Sequence, residues 1–96
     1  MLDPFTLDNF VPCLNDTFWI RVEDGRVETR LAEAHPWGAA STTGRTPFSL
    51  VFLGPGRFVL PQQTYRVEHE TLGEFDLFLV PLGPDGGGMR YEAVFT

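Results

Sequence analysis

The sequence contains no lysine, so all seven of its basic residues are arginines. Thirteen acidic residues outnumber them and give a net charge of −6. A nucleic-acid-binding surface needs a concentrated positive charge, and this balance therefore argues against a nucleic-acid partner. The missing lysine has two explanations: genome composition, or retention of arginine for bidentate pairing with carboxylates across contacts.

Cysteine and long apolar runs are also scarce. The single cysteine, Cys13, excludes an intramolecular disulfide and is expected to be either a small core residue or a free thiol able to link two chains. No apolar run approaches the ~20 residues of a membrane span, so we predict no membrane insertion. The N-terminal residues lack a basic segment, which predicts a cytoplasmic protein as synthesised, with incorporation into an exported or virion-like particle left open.

The length and composition predict one small globular domain over residues 1–96. A chain of 96 residues buries enough surface for one core but not for two. Its apolar fraction of 43% is ordinary for a soluble protein, and its aromatic fraction of 14% favours strands.

Residues 6–14 predict the one helical segment. Thr6 is a suitable N-cap, while Leu7, Phe10 and Val11 repeat at helical spacing and Pro12 keeps the segment short. We expect this turn to close one end of a larger β structure.

Residues 17–34 predict a hairpin with a type I′ turn at Asp24-Gly25. This turn pairs Val22 with Val27 and places Trp19 opposite Arg30, with a cation–π contact as an option. The apolar side chains then share one inward face: Phe18, Ile20, Val22, Val27 and Leu31.

The remaining chain predicts further short strands separated by turns. Residues 35–46 form the longest loop, residues 47–53 a buried strand, and Gly54-Pro55-Gly56 a turn. A second hairpin follows over residues 64–80, with Gly73 left-handed in a three-residue loop and Tyr65 opposite Leu79. Pro81 ends that strand, residues 83–88 turn, and residues 89–95 make a last strand. The resulting fold class is all-β: an antiparallel barrel or sandwich of six to seven strands with a short N-terminal helical turn.

The second hairpin carries the main candidate for an interaction site. The predicted register places Glu68, Glu70, Glu74 and Asp76 on the outer face as two opposed like-charge pairs, which destabilise a sheet unless solvent or a counter-charge offsets them. Flat strands supply Ca²⁺ ligands poorly, which leaves a solvated face or a docking surface for arginines of a neighbouring chain. The candidate interaction residues are Glu68, Glu70, Glu74, Asp76, Arg45, Arg57 and, as a lid or a binding anchor, Trp37.

The sequence offers little for catalysis or metal binding. Cys13 with His35 or His69 meets the loosest criterion for a nucleophile–base pair, but no local signature accompanies them. The two histidines lack companions at metal-ligand spacing, and His69 is expected to pack on Phe75 instead. The glycine-rich segment 83–88 precedes no helix and so does not predict a phosphate site. We predict no catalytic residue, no cofactor and no metal.

The C-terminal half resembles an uncharacterised bacterial family of small β domains. The residues that carry the resemblance are 45–52, 60–62, 65–69, 72–74 and 77–81, together with residues 88–95, which read Gly-Met-Arg-Tyr-Glu-Ala-Val-Phe. Such domains look similar to ones found near phage-tail collar-like proteins. The resemblance implies a structural or assembly role and carries no catalytic assignment.

These observations predict a non-enzymatic accessory module that contacts protein, either another copy of itself or a partner in a phage-tail-like or surface assembly. The alternative is a small-ligand or carbohydrate-binding barrel, with Trp19, Trp37 and Tyr91 as aromatic platforms at the barrel mouth.

Overall fold

The structure, a computed structural model, describes residues 6–36 and 47–95. A short helix α1 (Leu7–Phe10) continues into a 3₁₀ turn (Val11–Cys13). Six strands follow: β1 (Thr17–Val22), β2 (Gly25–Pro36), β3 (Phe48–Pro55), β4 (Gln63–His69), β5 (Gly73–Asp85) and β6 (Gly88–Phe95). Neither described helical segment is long and apolar enough to cross a membrane.

The strands form a closed antiparallel barrel in the order β1-β2-β3-β6-β5-β4. This confirms the all-β prediction and selects the barrel over the sandwich. Alternate side chains of each strand point inward and fill the interior, with Phe18, Leu50 and Leu79 fully buried. The seam between β1 and β4 that closes the barrel is short, because only Trp19 with Glu68 and Ile20 with Val67 pair across it.

Helix α1 closes one end of the barrel, as predicted. The Thr6 amide donates to Asn9 Oδ1 at 2.7 Å, and the Asn9 amide donates to the Thr6 carbonyl at 3.0 Å, which starts the helix. Phe10 points into the barrel and is fully buried, with its ring centroid 5.6 Å from that of Phe95 and 5.9 Å from that of Phe48. A four-residue helix is too short to persist alone, so the burial of Phe10 holds it in place.

The connection between β3 and β4 closes the opposite end. Leu60 is buried there, and its amide donates to the Tyr91 hydroxyl at 2.9 Å. The Tyr65 hydroxyl in turn donates to the Pro61 carbonyl at 2.6 Å. Because Tyr91 is 1% exposed and occupied by this bond, it is not the ligand platform that we expected.

The first hairpin has its predicted inward face but a different register. Ile20 lies opposite Val27 and Trp19 opposite Glu28, so the two strands are shifted by two residues from the predicted pairing. Glu23 and Asp24 make the turn, and Gly25 begins β2 with a φ of +147°. A type I′ turn at Asp24-Gly25 needs a positive φ at Asp24, which the structure does not have.

The second hairpin shows the same two-residue shift. Gly73 has the predicted positive φ, +85°, but it lies opposite His69 and not within the loop. Tyr65 therefore pairs with Leu77, and Phe75 lies across from Val67. The ring of His69, which was predicted to pack on Phe75, stacks on Phe18 with the centroids 4.5 Å apart.

Three predicted strand ends are wrong. Strand β3 runs through Gly54 and Pro55, which were predicted to lie in a turn, and the backbone of Gly56 packs closely against that of Gly87. Strand β5 continues past Pro81 to Asp85 by means of a bulge between Pro81 and Gly83. Strand β2 extends to Pro36, into the predicted loop, and the remainder of that loop (residues 37–46) lies outside the described residues.

Candidate functional site

The predicted acidic face is paired with arginines of the same chain. Glu68 accepts hydrogen bonds from Arg21 Nε at 2.8 Å and from Arg26 Nη1 at 3.0 Å. Arg66 Nε donates to Asp76 Oδ1 at 2.8 Å. The observed register places Glu68 across from Glu74 and Arg66 across from Asp76, so one like-charge pair exists where two were predicted. We call these six side chains the arginine–carboxylate network: Arg21, Arg26, Arg66, Glu68, Glu74 and Asp76.

The network lies over the short seam of the barrel. Arg21 is on β1, Arg26 on β2 and Glu68 on β4, so their contacts connect strands on both sides of the seam. Arg21 Nη2 also lies 3.5 Å from Glu74 Oε2 on β5. The hydrogen bonds from Arg26 and Arg21 lower the pKa of Glu68 below its usual range. The network therefore neutralises its carboxylates within one chain and reinforces the closure of the barrel.

The other predicted interaction residues are not part of the network. Glu70 lies in the turn after β4 and borders a surface hollow together with Asp16 and Trp19. Arg57 lies in the turn after β3 and is not among the ion-pair partners of the four acidic residues. Trp37 and Arg45 lie outside the described residues.

A groove runs along the outside of the barrel between the first hairpin and the chain that follows β3. Its volume is about 430 Å³, within the range of ligand pockets. It is lined by Trp19, Arg26, Val27, Glu28, Pro55, Arg57 and Phe58, and we call it the Arg57 groove. The guanidinium carbon of Arg26 lies 4.4 Å from the centre of the Trp19 ring, so the predicted cation–π contact forms, although with Arg26 and not Arg30.

Arg57 differs from the other arginines that the structure describes. Each of the others donates to an oxygen of a side chain in this chain: Arg21, Arg26, Arg30, Arg66 and Arg90. Within the described residues, Arg57 has neither a hydrogen-bond acceptor nor an ionic partner. The sequence could not show this difference, because the pairing of the other arginines depends on contacts between residues far apart in the chain.

A second polar cluster joins Cys13 and His69, which the sequence offered as a loose nucleophile–base pair, with Asp16, for which no role was predicted. One ligand-type atom of each lies within 4.8 Å of the other two, and His69 Nε2 is 2.9 Å from Asp16 Oδ2. Cys13 and Asp16 lie just before β1, and His69 ends β4, so closure of the barrel brings them together. The sequence carried no signal for Asp16, because its contact with His69 forms only when the barrel closes.

This cluster does not have the arrangement of a nucleophile–base pair. Burial, and then the nearby Asp16 carboxylate, raise the pKa of the Cys13 thiol, which opposes formation of the nucleophilic thiolate. The thiol donates to the Asn9 carbonyl, at 3.6 Å between sulfur and oxygen. The expectation that Cys13 is a small buried core residue is confirmed.

The hydrogen bonds of His69 also oppose metal binding. Its Nδ1 accepts the amides of Thr71 and Leu72, each at 3.1 Å, and therefore carries no proton. The ring proton is then on Nε2, which donates to Asp16. A metal at Nε2 requires the opposite tautomer, in which Nδ1 is the donor. The cluster instead fixes the β4–β5 turn to the segment that precedes β1.

An apolar stripe covers part of the outer face of β5 and β6. It consists of Phe78, Val80, Leu82 and Val94. Phe78 and Val94 are each 50% exposed and Leu82 is 47% exposed. The pairing of β5 with β6 begins at Val80 opposite Glu92, and Phe78 and Val94 each lie two residues beyond that pair on the outer face. Apolar side chains that are contiguous and exposed mark interaction surfaces in soluble proteins.

Comparison with known proteins gives the chain a family but no relative of known activity. No curated protein and no solved structure matches it. A family model matches residues 5–95, from the segment before α1 to the end of β6. That match covers the whole barrel, and the chain belongs to the family described as a domain of unknown function, DUF6916.

Proposed function

We propose that this barrel is a non-enzymatic module that acts through protein–protein contacts made by its outer surface. The observation that carries the proposal is the apolar stripe, where three large apolar side chains remain about half exposed on adjacent strands. A barrel whose interior is filled and whose described ends are covered by Phe10 and Leu60 offers its outside for binding.

The acidic residues support this proposal less than expected from the sequence. A partner's arginine would have to displace Arg21, Arg26 or Arg66 from a carboxylate that each already binds. We therefore place the principal contact on the stripe, with the network at its margin, where charge mainly sets association rate and salt dependence.

The resemblance noted in the sequence gives the finer form of the proposal. Domains similar to this one near phage-tail collar-like proteins imply a role in a tail-like or surface assembly. The partner would then be a second copy of the chain, as in most soluble oligomers, or another subunit of the same assembly.

A second candidate is a small-ligand or carbohydrate-binding module. The Arg57 groove favours it, because half-buried Trp19 and exposed Phe58 lie on its walls. Of the three aromatic platforms expected, Trp19 alone is described at the surface, with Arg26 stacked on its ring. Binding of an uncharged oligosaccharide that is abolished by Trp19→Ala and unaffected by changes in the stripe would favour this candidate.

The stripe is tested by replacing Phe78 and Val94 with threonine, which keeps strand propensity and removes apolar surface. The matched control is Val11→Thr, since Val11 is 44% exposed outside the stripe. Sedimentation velocity over a concentration series measures self-association, and a photo-cross-linking residue at position 78, with position 23 as control, reports other partners. We expect association or cross-linking through position 78 that the double variant loses and the control keeps. A parent protein that stays monomeric and gives no position-specific cross-link would contradict the proposal.

A further inference from the structure

Arg57 is an exposed cation that this strongly acidic chain leaves unpaired among its described residues. The chain carries thirteen carboxylates for seven arginines, so acceptors are not scarce. In the network alone, three carboxylates share three arginines, with distances down to 2.8 Å. An arginine that finds no acceptor in such a chain is available to one supplied from outside.

The groove around Arg57 holds a second guanidinium in a fixed position. Arg26 is bound to Glu68 at 3.0 Å and lies over the ring of Trp19. Because these two contacts restrain its side chain, little conformational entropy remains to be lost when it binds a further acceptor. Arg57 itself follows Gly56, whose backbone packs so closely against the Gly87 carbonyl oxygen in the β5–β6 turn that a Cβ would not fit there.

The walls of the groove are apolar next to these cations. Trp19, Val27, Pro55 and Phe58 border it, and Phe58 is 39% exposed. A free hydrated anion gains nothing from such walls, whereas a carboxylate carried beside an apolar group uses both features. Aromatic residues and arginine are the side chains most enriched where proteins bind one another tightly.

We propose that the Arg57 groove binds a carboxylate side chain of a partner polypeptide, with a neighbouring apolar side chain packed between Trp19 and Phe58. The inference rests on the proposed function and adds the chemistry of the partner: an acidic residue adjacent to an aromatic or large aliphatic one. Arg57 supplies the principal hydrogen bonds to the carboxylate, and Arg26 adds charge from the opposite side of the groove.

Glu28 limits how much negative charge a ligand of the groove can carry. It lies directly across from Trp19 on β2 and is exposed in the same groove. Its carboxylate repels every negative charge that enters the groove, and this repulsion grows with the number of charges, so the groove accepts a segment with one acidic residue better than a polyacidic one. Its removal provides a test in the direction opposite to the loss of Arg57.

The experiment is an NMR titration of the ¹⁵N-labelled full chain with N-acetyl-Phe-Glu-amide. The matched probe is N-acetyl-Phe-Gln-amide, which has nearly the same shape without the charge, and sodium acetate supplies the carboxylate alone. We expect the glutamate peptide to shift the Trp19 indole N–H and the Arg57 Nε–H signals with a Kd at least tenfold below that of the glutamine peptide. Acetate should give a much weaker response.

Three variants test which charged residues control the affinity for the glutamate peptide. Arg57→Gln should weaken binding of the glutamate peptide at least tenfold, Glu28→Gln should strengthen it, and Arg30→Gln, which removes an exposed arginine bonded to Asn15, should leave it unchanged. Equal affinities for the two peptides, or shifts that survive Arg57→Gln, would overturn the proposal. Equal responses to acetate and to the glutamate peptide would make this a site for small anions only and would also overturn it. None of these results bears on assembly through the apolar stripe, so the proposed function is judged separately.

Discussion

Truncation of Phe10 to alanine tests whether the N-terminal segment is an integral part of the barrel. Phe10 is fully buried although it belongs to a helix of four residues. Its ring centroid lies 5.6–6.5 Å from those of Phe18, Phe48, Phe75 and Phe95, which come from β1, β3, β5 and β6. Removing the ring leaves a cavity that four strands would have to collapse to fill.

The expected loss is a large part of the total stability. Replacing a buried phenylalanine with alanine costs about 3–5 kcal/mol. A domain of this size has a free energy of unfolding of roughly 5–14 kcal/mol, from about 0.05–0.15 kcal/mol per residue. With a urea m-value of about 1.5 kcal/mol/M, the midpoint of unfolding should fall by about 2–3 M.

Urea denaturation followed by tryptophan fluorescence measures this shift, with Val11→Ala as the control. Val11 is the next residue in the chain and is 44% exposed, so its truncation should change the free energy of unfolding by less than about 0.5 kcal/mol. If Phe10→Ala cost no more than Val11→Ala, the helix would not close the barrel in solution, and the reasoning about this end of the fold would be refuted.

Three further predictions concern the core, the thiol and the ion pairs. Ile20→Asp should unfold the domain, because Ile20 is 1% exposed and the new charge would be buried. Arg21→Ser, on the outer face, should lower the melting temperature only slightly, and similar decreases for the two variants would contradict the assigned faces. Cys13 should react slowly with a thiol reagent in the folded protein and rapidly in denaturant, since it is buried and its pKa is raised; fast labelling of the native protein would place it at the surface. The lowered pKa values of Glu68, due first to Arg26, and of Glu33, due first to His35, stabilise the fold above the unfolded-state glutamate pKa of about 4.3. That stabilisation should be lost as the pH falls further, through the pKa values of the two glutamates in the folded protein. Glu68→Gln should therefore reduce the pH dependence of the melting temperature below about pH 4.3. An unchanged dependence in this variant would contradict the prediction.

The sequence predicts the faces of the strands better than their registers. Alternation of apolar and polar residues places Phe18 and Ile20 inside, and this result is the same for any register shifted by two residues. Choosing among such registers requires the turn geometry. In the first hairpin the Asp24-Gly25 pair predicts a turn that the structure places one residue earlier, which sets apolar Ile20 against Val27.

The second hairpin shows why a local pattern is insufficient. Its turn is stabilised by the side chain of His69, whose Nδ1 accepts two amides of the turn while Nε2 donates to Asp16. Asp16 is 53 residues away in the chain, and no spacing rule connects the two. The same limit applies to Arg57. The sequence does not show that this arginine differs from the others, because the acceptors of the others lie far away in the chain.

Pairing within the chain changes which charges are available for function. On the sequence alone, the four acidic residues of the second hairpin are an excess of negative charge, and arginine is the side chain that a partner would supply. The structure reverses this for three of them, because Glu68, Glu74 and Asp76 are bound by Arg21, Arg26 and Arg66 across the strands that they connect. The described cation left unpaired is then Arg57, in a groove with apolar walls. A partner matched to this surface brings a carboxylate and an apolar side chain, not a guanidinium, and the Glu-to-Gln peptide comparison separates these two kinds of partner directly.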